Sequence, residues 1–295
     1  MWTAIHIFTT REVRADETVW ATAQELHKGM LLIREHREVP RPLQLFAVRI
    51  DLKTPALTLD TTPRSADWVA NKSETMRAST RDFIRASRLS QRKYVFAANA
   101  DAFSPWPAAW NQSTPADLRG LAVSQCVIVS PASGTPSLIV TRDGNASIEI
   151  TDRSTPTDDL QTAVSGFALC LKEGVAQPSG TDLHPRTGLG LSADKRYVFV
   201  VAIDGRRYSS QGATTQELGE WMLRLGADDA INMDGGGSTT LAWWNDKSEQ
   251  NDKCELINAP VGNGLKFQTE TAERRFRPSE RANGNHLAVY FDLTP

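Results

Sequence analysis

No apolar stretch in this sequence approaches the ~20 consecutive residues that a membrane-spanning helix requires, so no membrane span is expected. There is no long basic run either. The 33 Lys and Arg against 35 Asp and Glu leave a net charge of -2, which argues against nucleic acid and anionic membrane as partners. Only three cysteines occur, Cys126, Cys170 and Cys254. They are far apart and lack metal-ligand spacing. Cys126 and Cys170 lie in apolar runs, where a small buried hydrophobe is the expected role. The opening MWTAIHIFTTREVRADE has no charged leader followed by an apolar core, so it does not read as a secretory signal. A chain from which a leader had been removed would be secreted or periplasmic, and otherwise cytoplasmic. No repeat, low-complexity tract or linker divides the 295 residues. One domain is therefore expected, with ample chain to bury a core. The oligomeric state is not written in the sequence.

What is present centres on Tyr197 to Trp244. Tyr197 to Asp204 is an almost unbroken apolar run, as in a strand buried on both faces. Thr214 and Glu217 stand at capping-box spacing. Leu218, Trp221, Met222 and Leu225 then form one apolar helical stripe, and Gly226 is placed to end the helix. Glu217 is read as a cap rather than a catalyst. Ala230 to Asp234 is a second short strand. Strand, helix and strand predict a βαβ unit with parallel strands and a right-handed crossover. The fold class is accordingly α/β (a mixed α+β sheet), with antiparallel strands in the middle of the chain and helices packed on the sheet.

In that unit both strands end in Asp-Gly, so Asp204 and Asp234 are expected at the same sheet edge, where open α/β sheets bind ligands. Gly235, Gly236 and Gly237 permit a tight turn of bare amides, an anion nest that Ser238 and Thr239 extend with hydroxyls. The same glycines also suit a strained corner with no ligand.

Earlier in the chain, a short helix is expected near Asp16 to His27 and strands at Leu43 to Leu52 and Tyr94 to Ala98. Residues 53 to 78 read as loop and short elements. Ser79 or Thr80 caps a helix carrying Phe83 and Ile84. The Tyr94 strand runs into Asn99 and Asp101, polar groups capable of binding. Trp106 and Trp110 flank Pro107 in a loop where an indole suits either a sugar ring or a core. Strands are expected at Leu121 to Ser130, Ser137 to Arg142, Ala146 to Thr151 and Phe167 to Leu171, with Asp143-Gly144 as a hairpin turn. His184-Pro185-Arg186-Thr187-Gly188 reads as a loop. Its Arg can grip a phosphate or carboxylate, and its His can donate near neutral pH. Glu280-Arg281 reads as a salt-bridged face before a closing strand, Leu287 to Leu293.

Taken together, NADAF at Asn99, AVSGFALCLKEG from Ala163, HPRTGLG at His184, AIDGR ending at Arg206, GATTQEL at Gly212 and LGADDAINMDGGGSTTL through Leu241 resemble the phosphodiester glycosidase family in order and spacing. INAP at Ile257 and SERANGNHLAVY at Ser279 continue the resemblance, which runs from about residue 26 to about residue 291. Alanines stand at positions 100 and 102, where the family often has glycine or tyrosine.

The resemblance implies a hydrolase of sugar-1-phosphodiesters of the N-acetylglucosamine type, acting on a carbohydrate or cell-envelope glycan. A carboxylate near the anomeric carbon stabilises oxocarbenium character. A phosphate monoester leaves readily, so cations and amide donors on the phosphate matter more than a second acid. Asp234 or Asp204 is the expected base or nucleophile, with His184 as acid or phosphate contact. Asn99, Asp101, Arg186, Thr187, Arg206, Asn232, Gly235 to Gly237, Ser238, Thr239 and Arg281 are the expected substrate contacts. No cofactor is required. Ca²⁺ or Mg²⁺ on clustered carboxylates is compatible with the scheme, but no loop has metal-loop spacing. Two other readings stay open: a glycosidase using Asp204 and Asp234 on a plain glycosidic bond, and a glycan-binding protein without turnover.

Overall fold

The computed structural model describes residues 17–105, 112–262 and 277–292. Its centre is the Tyr197–Ile203 strand. Val198, Val200 and Ala202 point into one apolar cluster, and Phe199, Val201 and Ile203 into another. That alternation explains the unbroken apolar run: both faces of this strand are covered. It lies inside an eight-stranded sheet in the order Gln24–His27, Met30–Arg37, Leu43–Asp51, Tyr197–Ile203, Arg186–Leu191, Asp229–Asn232, Ala168–Lys172 and Val175–Ala176.

On one face of this sheet packs the Thr215–Leu225 helix, which buries Leu218, Trp221, Met222 and Leu225. Its start is the expected capping box, with Thr214 accepting from the Glu217 amide at 3.1 Å and Glu217 accepting from the Thr214 amide at 2.8 Å. Gly226 ends it at φ 104°. Arg41 adds an ion pair to the same Glu217 oxygen at 2.5 Å, which ties that carboxylate to the helix start.

Against the other face lie two five-stranded sheets. One comprises Val127–Ser130, Ala122–Ser124, Leu160–Ser165, Thr135–Thr141 and Ala146–Thr151; the other, Cys254–Leu256, Leu241–Trp244, Phe96–Asn99, His286–Phe291 and Leu57–Thr61. Leu138, Phe96, Val200, Ile231 and Leu287 meet in the cluster that joins all three sheets. The second five-stranded sheet is backed by the Thr80–Ser87 helix, capped by Ser79 and anchored by Phe83 and Ile84. A small sheet of Thr75–Met76, Pro115–Leu118 and Phe103–Ser104 completes the molecule.

Several expectations are corrected. Strand, helix and strand occur in the predicted order, but Arg186–Leu191 lies between the two strands and is antiparallel to both. They run the same way without pairing, so the expected βαβ unit of neighbouring parallel strands is not formed. Among the described residues every ladder between named strands is antiparallel. The cause is that Arg186–Leu191, which begins inside the HPRTG segment expected as a loop, supplies a strand of its own. Its glycines, poor strand formers by propensity, leave room for the helix: a Cβ at Gly188 would stand 2.6 Å from the Met222 methyl.

The helix near Asp16 to His27 is one turn, Glu17–Trp20, followed by a strand. Residues 53–78 include the Leu57–Thr61 strand. Leu121 to Ser130 is a hairpin rather than one strand, turning at Gln125 and Cys126, both at positive φ. Cys126 is exposed because it sits at that turn, whereas Cys170 is buried as expected. Trp106, Pro107 and Trp110 lie outside the described residues.

Candidate active site

The Tyr197–Ile203 and Asp229–Asn232 strands end at the same sheet edge, but their aspartates meet different surroundings. Asp204 is 1% exposed. Arg207 pairs with it at 2.5 Å, Asn258 donates to Oδ1 at 2.9 Å, and the Ala259 amide reaches both oxygens. Burial pushes its pKa up to about 6 against the pull of Arg207. With its oxygens satisfied from within, Asp204 is a fold-holding group, and it lines neither of the clefts described below. A role as base or nucleophile does not suit this position.

Asp234 stands at a cleft. Its amide donates to Ala100 O at 3.1 Å, and its carbonyl accepts from Asn99 Nδ2 at 2.7 Å. Its carboxylate accepts from the Gly235 amide at 3.0 Å. Desolvation raises its pKa to about 6, opposed by Ser238, Arg281 and the Gly235 amide. Gly236 to Ser238 form a single 3-10 turn. Gly236 takes φ 63° and has the Arg206 guanidinium where a Cβ would meet it at 3.0 Å, so a side chain there would be both strained and crowded.

Two lobes of one cleft meet at Asp234, Arg281 and Phe167. The first, of about 370 Å³, is cationic: His184, Arg186, Arg206, Asn232 and the glycine turn are among its walls. Arg186 is held by Ala213 O at 2.9 Å and Asp182 O at 3.1 Å. Arg206 approaches His184 Nδ1 at 3.5 Å. It adopts φ 59°, a backbone conformation uncommon away from glycine and concentrated at functional sites. Among the described residues no carboxylate lies within ion-pair distance of Arg186 or Arg206. Burial lowers the pKa of Arg186, Arg206 and Arg281. Two half-buried guanidinium groups side by side, Arg186 and Arg206, with no carboxylate of their own in ion-pair reach, suit an anion.

The second lobe, of about 540 Å³, is mixed: Phe103, Ser104, Asp117, Arg119 and Ser133 are among its walls. Asp117 is the carboxylate that faces this cleft together with Asp234, and nothing in its local sequence singles it out. Phe167 starts an expected strand and lies within the AVSGFALCLKEG motif, but neither reading marks it as a contact. Both reach the cleft through the small sheet and a strand end, placements that have no local signal.

The remaining expected contacts sit beneath the cleft and brace it. Asn99 Oδ1 accepts from the Thr187 hydroxyl at 2.8 Å and the Thr240 amide at 3.0 Å. Asp101 is 1% exposed, accepting from the Ser165 amide and Asn285, and burial raises its pKa well above the usual range. Ser238 accepts from Arg281 Nη1 at 3.1 Å. Thr187 and Thr239 are buried. Arg281 does not pair with its neighbour in sequence: Glu280 binds Arg81 at 2.5 Å. Among the described residues no three His, Cys, Asp or Glu side chains come together to hold a metal, and no helix is long and apolar enough to cross a membrane.

A sequence model of the phosphodiester glycosidase family matches residues 92–268. The chain belongs to the phosphodiester glycosidase family. The matched span includes Asn99, His184, Arg186, Arg206 and Asp234, while Arg281 lies beyond it. Three solved structures share the fold. The catalytic domain of zebrafish N-acetylglucosamine-1-phosphodiester alpha-N-acetylglucosaminidase, auto-inhibited by its pro-peptide, is 13% identical with a TM-score of 0.65, over 92% of this chain and 87% of that one. A hypothetical protein from Synechocystis is 13% identical with a TM-score of 0.59; the alignment covers 92% of this chain and 63% of that longer one. A putative exported protein from Burkholderia pseudomallei is 14% identical with a TM-score of 0.54, over 84% and 74%. No curated protein matches in sequence. The family assignment supports a glycosidase-type hydrolase, and a sugar-type substrate suits it.

Proposed function

We propose that this phosphodiester glycosidase hydrolyses the anomeric C–O bond of a sugar-1-phosphodiester of the N-acetylglucosamine type, in a carbohydrate or cell-envelope glycan. The observation that carries the reading is the division of the cleft at Asp234 into a cationic lobe and a mixed aromatic and polar lobe. A sugar phosphodiester has the same two halves on either side of its anomeric carbon.

In this scheme the phosphate lies among His184, Arg186, Arg206 and Arg281, and the anomeric carbon lies beside Asp234. The C1–O bond breaks and the electron pair leaves with the phosphate, whose growing charge the guanidinium groups offset. The Asp234 carboxylate stabilises the oxocarbenium character at C1 or activates water, and the hydroxyl of water ends on C1. The remaining proton passes to solvent. At neutral pH a carboxyl whose pKa is about 6 is mostly ionised and ready for this role.

A second reading has one observation in its favour. Asp117 and Asp234 face the same lobe, and a pair of carboxylates is what a glycosidase acting on a plain glycosidic bond uses.

Sugar release from an α-N-acetylglucosamine-1-phosphodiester, with Asp234→Asn as control, tests the choice. Release that the substitution abolishes is expected. No release, with cleavage of an aryl glycoside of the same sugar, favours the second reading. Binding of sugar phosphate without cleavage of either substrate leaves a glycan-binding protein.

A further inference from the structure

Phe167 is 41% exposed, although the strand it precedes is tied firmly into the eight-stranded sheet. Its amide donates to Asn232 O at 2.8 Å, and the preceding Gly166 amide donates to Pro136 O at 2.9 Å. The backbone under the ring is therefore fixed while the ring itself stays in the cleft. It borders both lobes, together with Asp234 and Arg281. The Arg119 guanidinium lies 5.3 Å from its centroid, which holds the ring by a cation–π contact. Beside it, Asn232 is 6% exposed, and its side-chain oxygen has no hydrogen-bond partner. A buried amide oxygen left unpaired costs free energy unless a ligand completes it.

Resting on the phosphodiester reading, we propose that Phe167, braced by Arg119, is the platform against which the pyranose ring stacks, and so determines specificity for the sugar half. An exposed aromatic face suits the CH face of a sugar. The other walls of that lobe argue for a sugar over a purely apolar ligand. Asp117, Ser104 and Ser133 offer acceptors and hydroxyls that a polyhydroxylated ring can satisfy, whereas an apolar group would strip them of water without replacing it.

The test is to titrate N-acetylglucosamine and, separately, inorganic phosphate into the wild type and into Phe167→Ala, Phe167→Tyr and Arg119→Ala, following binding by calorimetry or NMR. The Ala substitution at 167 is expected to weaken sugar binding roughly fivefold to tenfold, the scale of one lost ring contact. Phosphate binding should stay within about twofold, since its contacts are charge-assisted bonds to guanidinium groups, to which the ring of Phe167 adds none. Tyr at 167 should restore the sugar, and Arg119→Ala should weaken it by less than the loss of the ring. Equal sugar affinity in wild type and Phe167→Ala overturns the platform, as does parallel loss of sugar and phosphate, or a wild type that takes up no sugar. A wild type that hydrolyses no sugar phosphodiester but binds the sugar in a Phe167-dependent way defeats the proposed reaction and leaves the platform standing.

Discussion

Asn99 holds the main chain of Asp234 through its carboxamide, which donates to the Asp234 carbonyl at 2.7 Å and accepts from the Thr187 hydroxyl and the Thr240 amide. Three segments distant in sequence are thereby pinned at one buried amide. Asn99→Ala removes all three bonds and leaves their partners buried and unpaired. The expected loss is about 2–4 kcal/mol of stability, at about 1–3 kcal/mol per orphaned group with partial relaxation. Because Asp234 also loosens, kcat should fall about tenfold or more under conditions where the variant is fully folded. Denaturant unfolding and steady-state kinetics on the same preparation check both. A stability loss with unchanged kcat would confine Asn99 to the fold.

Asp234 combines function with a stability cost. Its folded pKa of about 6 lies above the ordinary carboxylate value of 3.8. The folded state therefore favours the protonated form. The stability from that form is fully present below about pH 4 and is lost as the pH rises through 6. Asp234→Asn carries no charge at any pH. At pH 7 it should be more stable than the wild type, by up to about 3 kcal/mol for a rise of roughly two units. That advantage should vanish near pH 4, while hydrolysis is lost at every pH. Wild-type activity should rise across pH 6 as the carboxylate ionises. Thermal melts of both proteins at pH 4 and 7 are decisive. A variant less stable than the wild type at pH 7 would mean that the charge is stabilised in place.

Asp204 and Asp117 should separate in the opposite way. Removing the buried Asp204 carboxylate takes away the ion pair that Arg207 makes at 2.5 Å, so Asp204→Ala is expected to cost about 3–5 kcal/mol. Its kcat should be little changed in the fraction that folds. Asp117 is half-buried at the cleft, bonded to the Ser104 hydroxyl at 3.2 Å. Asp117→Asn should leave the melting temperature within a few degrees and lower kcat/KM, because the carboxylate faces the lobe assigned to the sugar. The contrast is read from melts and kinetics of the two variants side by side; a stable, inactive Asp204→Ala would return Asp204 to the chemistry.

Legibility in the sequence followed the range of the interactions. The Thr215–Leu225 helix could be read because its cap, apolar stripe and terminal glycine all lie within thirteen residues. The turn after Asp234 announced itself by its glycines. Arg186–Leu191 was missed because Gly188 and Gly190 weaken its strand pattern. They are there for the helix that packs over them, a partner more than twenty-five residues away. Asp204 and Asp234 look alike locally. What distinguishes them is Arg207, Asn258 and the Ala259 amide on one side and a cleft on the other. Asp117 joins the site only through the way separate sheets meet, which no window of sequence contains, and Phe167, though inside a quoted motif, shows its exposure to the cleft only in the fold.

The cationic lobe gives the most direct check on how the substrate lies. If Arg186 and Arg206 hold the phosphate, inorganic phosphate should compete with the phosphodiester. Arg206→Ala should weaken that inhibition about tenfold to a hundredfold, the worth of a charged hydrogen bond. Because the charge on the phosphate grows as the C–O bond breaks, the same substitution should lower kcat and not only raise KM. An aryl glycoside of the same sugar places no phosphate there, so its cleavage should fall far less. Melting temperatures control for folding, since the Arg206 backbone at φ 59° is strained with or without its side chain. Equal loss on both substrates would place Arg206 among the groups that shape the pocket and remove the reason for seating the phosphate in this lobe.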